Sequence, residues 1–130
     1  MEKITIDPWK WGEYTNSAQA VEVKNVTGTL YCSGQVAIDH QGQPSSEDMR
    51  TQLKQTIANL EHLITQAGYE MKNIVRLNVY TTSINELFST SMDIYSEFLK
   101  KYEIKQATTL VEVKALFSTL TIELEATVVK

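Results

Sequence analysis

Ile74-Val75-Arg76-Leu77-Asn78-Val79-Tyr80-Thr81 alternates Val75, Leu77 and Val79 against Arg76, Asn78 and Tyr80. That is the period of a strand with two unlike faces. Helical patterns flank it on both sides. Before it, Met49, Leu53, Ile57, Leu60, Ile64 and Ala67 recur at spacings of three and four, one stripe of a helix that starts at Ser45 or Ser46. Ser45 and Asp48 are spaced like a capping box, and Gly68 stands where a left-handed C-cap is wanted. After the strand, Ser83 precedes Glu86 by three, and Leu87, Phe88, Met92, Tyr95, Phe98, Leu99 and Tyr102 share one side of a second helix.

The ends of the chain read as strands. Ala18 to Val23 and Leu30 to Ile38 flank a turn containing Asn25 and Gly28, the pattern of a hairpin. Thr108 to Val113 and Thr121 to Val129 are β-branched and alternating. The expected order is ββαβαββ, one α+β domain over residues 1–130. Right-handed crossovers would put both helices on one face of a mixed sheet. Tyr31, Tyr80 and Leu110 are then expected on the bare face, too apolar to stay wet, so a closed oligomer that buries it is expected.

A chain of 130 residues buries roughly 68% of its unfolded surface and needs no staple. The single Cys32 excludes an intrachain disulfide. No apolar run has the length of a membrane span, and no apolar leader follows Met1, so a cytoplasmic location is expected. Net charge is −4, and the ten lysines and two arginines stand singly apart from Lys100-Lys101. No nucleic-acid or membrane partner is expected from that distribution. His40 and His62 lack ligand-like spacing to carboxylates, so neither a metal nor another cofactor is expected.

Several short segments in one order carry a resemblance. They are Gln19-Ala20-Val21, Tyr31-Cys32-Ser33-Gly34-Gln35, Asn59-Leu60, Ala67-Gly68, Val111-Glu112-Val113 and Ile122-Glu123-Leu124-Glu125-Ala126. Together they resemble the Rid family (reactive intermediate deaminase, YjgF or RidA), from Trp9 to Val129. The resemblance implies a chorismate-mutase-like fold and a homotrimer with sheets packed inside, helices outside and ligand clefts at the subunit boundaries. It also implies a pattern Pro-Ala-Arg-Ser/Thr, whose arginine grips a substrate carboxylate, and a glutamate fifteen residues later that positions the hydrolytic water. The arginine position is Thr108 in this chain, and the glutamate position is Glu123.

A guanidinium meets a carboxylate with a planar fork of donors; a threonine hydroxyl offers one neutral donor. Two further family positions differ. A tyrosine position is Ser17, with Tyr14 three residues earlier as a substitute, and an asparagine position is Met92. The expected ligand-binding residues are therefore Ser33, Gly34, Thr108, Tyr14 and Met92, with Glu123 as the catalytic candidate. Each has a plainer reading beside it. Glu123 and Glu125 suit solvated or paired positions on a terminal strand, and Gly34 suits a bulge as well as a cleft wall. Cys32 alternates with Ser33 and is expected in the core. Trp9 and Trp11 are expected to pin the amino-terminal segment across a subunit surface.

Two functions follow. One is a trimeric protein that binds a small metabolite without 2-imino acid deaminase activity. The other is an imine or enamine hydrolase on a non-carboxylate substrate, with Glu123 positioning the water.

Overall fold

The computed structural model describes residues 1–130, the side chain of Glu13 excepted. Its strands are β1 (Glu2–Ile6), β2 (Ala20–Lys24), β3 (Thr29–Tyr31), β4 (Ile74–Thr81), β5 (Leu110–Glu112) and β6 (Ile122–Val129), and its helices α1 (Met49–Gln66), α2 (Ile84–Thr90) and α3 (Met92–Lys101). Strands β3-β6-β4-β5 form one mixed sheet, antiparallel except for the β4–β5 pair. Leu77, Val79, Leu124, Ala126 and Val128 face the helices, and with Leu53, Leu60, Ile64, Tyr95 and Phe98 they make one buried core. No helix is long and apolar enough to cross a membrane.

The expected hairpin of β2 with β3 does not form. β2 pairs instead with β1, from Ile6 opposite Ala20 to Glu2 opposite Lys24, in a separate two-stranded sheet. β3 lies against the carboxy-terminal end of β6, where Gly28 and Lys130 exchange both backbone hydrogen bonds at 2.9 and 3.0 Å. Only Ile4 and Ile6 alternate in β1, too short a pattern to register as a strand beforehand.

α1 begins three residues later than Ser45 or Ser46 implies. Asp48 is its cap, accepting from Thr51 N–H at 2.8 Å, a bond that holds the carboxyl below its usual range. The Ser45 hydroxyl instead accepts from Glu47 N–H. At the other end Gly68 takes φ +79, with Gly68 N–H on Thr65 and Tyr69 N–H on Ile64, the double bond of a Schellman end.

The second helix is two helices. Ser91 leaves the helical region at φ −138. The Thr90 hydroxyl bonds back to the Glu86 carbonyl at 2.7 Å, an alternative to continuing the helix. Arg50 clamps this break onto α1 with two nitrogens on the Asp93 carboxylate (2.7 and 2.8 Å) and one bond to the freed Thr90 carbonyl (2.7 Å). Phe88 consequently points outward and is 55% exposed.

Candidate functional site

The strand register sorts the expected site residues onto two faces of the sheet. Glu123 lies opposite Tyr80, and Glu125 opposite Asn78, so these four side chains share the face away from the helices. Ser33 and Gly34 join them through an irregularity. From the Tyr31–Thr127 pair to the Gln35–Leu124 pair, the chain advances four residues on one strand for three on the other. The extra residue is a β-bulge at Ser33-Gly34, and bulges re-aim neighbouring side chains.

The Glu123 carboxyl rests directly on that bulge. A Cβ at residue 34 would lie 2.6 Å from Glu123 Cδ and 2.9 Å from both carboxyl oxygens. The bulge reading of Gly34 is the one the fold shows, and the atoms that its missing side chain makes room for are those of the Glu123 carboxyl. Burial, and secondarily the nearby Glu125, push the Glu123 carboxyl above its usual range. Glu125 is moved the other way. Asn78 Nδ2 and Tyr80 OH donate to its Oε1 at 3.0 and 3.1 Å and hold it below its usual range. Two carboxyls two residues apart are thus split into one that keeps its proton more readily and one that stays ionised, an arrangement suited to acid–base work.

Thr108 stands on the opposite face. Arg76 is bridged to Ala107 and Val79 is paired with Leu110, so Thr108 takes the register of buried Leu77. Its hydroxyl accepts from Gln106 Nε2 at 3.0 Å. The Tyr95 hydroxyl, on α3, is directed at Thr108 and Gln106 but makes no hydrogen bond of ordinary geometry. Within one chain, then, Thr108 and Glu123 are not neighbours. Leu110 shares the helix-side face of Thr108 and packs on the core, so it is not part of the bare face.

The remaining expected residues are dispersed. Met92 opens α3, half-buried against the core, one turn before Tyr95. Tyr14 lies on a short 3-10 turn and is 86% exposed. Cys32 is buried in the core, which pushes its thiol up and away from the reactive thiolate. Trp9 and Trp11 stack on each other with centroids 5.6 Å apart. Among the described residues no three His, Cys, Asp or Glu side chains gather as a metal site requires.

Asn78, Tyr80, Tyr95 and Gln106 were not read as site residues from the sequence. The alternation of β4 already put Asn78 and Tyr80 on one face, and Gln106 is two residues from Thr108. What joins them to Glu125 or Tyr95 is cross-strand register and helix packing, which a single sequence does not display.

A family profile described as "Endoribonuclease L-PSP" matches residues 12–130. A RutC family protein of Aquifex aeolicus is 33% identical over 113 residues, 87% of each chain. The human 2-iminobutanoate/2-iminopropanoate deaminase is 33% identical over 76 residues, 58% of this chain and 55% of its own. Among solved structures, the Rid-family protein YyfB of Yersinia pestis, of unknown function, superposes with a TM-score of 0.84 at 29% identity over 100% of both chains. Ordered segments, fold and whole-chain likeness converge: this chain is a member of the Rid family.

Proposed function

We propose that this protein is a Rid-type homotrimer that binds a small metabolite in clefts between subunits and lacks 2-imino acid deaminase activity. The carrying observation is the absence of a guanidinium where the family grips a carboxylate. Thr108 fills that position, and its hydroxyl is engaged with Gln106. Of the two arginines, Arg50 is held by Asp93 and Thr90, and Arg76 lies on the face of Glu125 with one bond, to the Thr109 hydroxyl at 3.2 Å. Charge-assisted bonds contribute on the order of 1.5–3 kcal/mol each, so two missing ones lower carboxylate affinity by orders of magnitude.

A shared cleft is supported by the sheet itself. Positions 108 and 123 lie on opposite faces of one chain, so a site that uses both draws them from two copies. The face that carries Glu123 also exposes Tyr31 at 79% and Val111 at 37%, apolar surface that a neighbouring copy would cover. Calorimetry with 2-oxobutyrate tests the reading. The parent is expected to bind almost none, and Thr108→Arg to create measurable affinity. Equal affinity in the two proteins would refute the importance of position 108.

A second reading rests on Glu123. Its half-buried carboxyl, raised above the usual range beside an ionised Glu125, suits activation of water against an imine or enamine that bears no carboxylate. Glu123→Gln keeps the shape and removes the ionisable group. Full retention of any hydrolytic activity in that variant would exclude this mechanism. RNA contact has the least support, given a net charge of −4.

A further inference from the structure

One concavity of the fold lies apart from Glu123. It is a cleft of about 1290 Å³ between the segment that leads from β1 into β2 and the end of α3. Ser33, Gly34, Thr108 and Glu123 do not line it, but Ser17 and Gln106, the neighbour of Thr108, do, so it adjoins the helix-side position of Thr108. Its walls bring together Trp9 and Lys10 on one side and Leu99, Lys100, Ile104 and Lys105 on the other. We propose that this cleft binds a small organic anion bearing a flat ring, with the anionic group on the lysines and the ring on Trp9.

Charge is the first support. The protein carries a net charge of −4, yet three of its ten lysines converge on this one cleft. Among the described residues none of the three has an ion-pair partner; the ion pairs formed are Lys24–Glu22, Arg50–Asp93 and Lys72–Glu70. Two carboxylates also line the walls, Asp7 and Glu103. Asp7 is occupied, accepting from Gln19 N–H at 2.9 Å. At the end of α3 two of the last carbonyls are turned inward onto backbone donors. Ile104 N–H satisfies Leu99 and Glu103 N–H satisfies Lys100, at 2.9 and 3.2 Å.

Shape and rigidity are the second support. Trp9 is stacked on Trp11, nearly parallel at 13°, which fixes the plane it offers while leaving it 55% exposed. Leu99 and Ile104 form the floor of the cleft, almost wholly buried in the core beneath it. Behind it, buried Gln106 ties the two walls together: its amide donates to the Asn16 carbonyl at 2.8 Å and its own carbonyl accepts from Ala18 N–H at 2.9 Å. The walls are thus held apart at a set spacing, as pre-formed ligand sites are.

Trp9 and Trp11 are the only two tryptophans, so intrinsic emission reports on this cleft directly. Phenyl phosphate titrated into the full chain is expected to change that emission saturably. Inorganic phosphate, which lacks the ring, and benzyl alcohol, which lacks the charge, are each expected to bind at least about tenfold more weakly. Replacing Lys100→Gln and Lys105→Gln together is expected to weaken phenyl phosphate by about tenfold or more in calorimetry, whereas Lys54→Gln leaves it unchanged. No saturable binding at millimolar phenyl phosphate, or an unaltered affinity in the double variant, would overturn the proposal. The variants leave Thr108, Gln106 and Glu123 in place, so the 2-oxobutyrate and Glu123→Gln measurements read the other site separately.

Discussion

A single hydrogen atom at residue 34 determines where the Glu123 carboxyl can lie. With glycine there, the carboxyl presses against the bulge and is partly withdrawn from water, which raises its proton affinity. Gly34→Ala puts a methyl where the carboxyl now rests, and the flexible end of the glutamate is what yields. The Glu123 pKa is therefore expected to fall toward the ordinary glutamate value in the alanine variant, measured by carboxyl carbon NMR titration, with the fold retained. An unchanged titration would show that the carboxyl does not lean on residue 34. The placing of Thr108 at the family's arginine position came from the resemblance of its segment, and that of Glu123 from the count of fifteen residues onward. That the two lie on opposite faces was not legible there, because it depends on β4 pairing with both β5 and β6.

Among the elements, α1 is held by polar side chains as much as by its apolar stripe. Gln52 is fully buried; its amide donates to the carbonyls of Glu47 and Thr119 at 3.0 and 3.1 Å, and its carbonyl accepts from Thr121 N–H at 2.9 Å. Gln52→Leu would leave those backbone groups buried without partners, and a loss of about 3 kcal/mol is expected in denaturant unfolding. The Arg50–Asp93 clamp gives a pH signature. The guanidinium lowers the Asp93 carboxyl to about 2 from an ordinary 3.8. A depressed carboxyl contributes stability above its unfolded value and loses it as pH falls through the folded one. Melting temperature is thus expected to decline between about pH 4 and pH 2, and the decline to be shallower in Asp93→Asn; parallel curves would discount the clamp. The strand β4 and the glycine end of α1 were legible because period and φ > 0 chemistry are local. The Asp48 cap, the break at Ser91 and the β1–β2 pairing were not. Ser45 and Ser46 compete with Asp48 as caps on equal terms, and Ser91 lies inside an uninterrupted apolar pattern. The partner of β2 is chosen by Lys130 drawing the residues before β3 onto β6.

For the whole molecule, the fold is that of the Rid family. The mixed sheet with its helices on one face is that fold, and the order of strand and helix patterns was enough to anticipate it. On the bare face Tyr31 and Val111 stand among Arg76, Asn78, Glu123 and Glu125, while Leu110, expected there, lies on the helix side. Such a mixed face suits a boundary that encloses a polar site better than a dry interface. The central claim is that the scaffold persists without the carboxylate grip. Its most direct test is ammonia release from 2-aminoacrylate or 2-iminobutanoate, generated in situ by a coupled enzyme and followed with and without this protein. Release at the uncatalysed rate is the expected result. Acceleration to the rate of an arginine-bearing deaminase run alongside would contradict it.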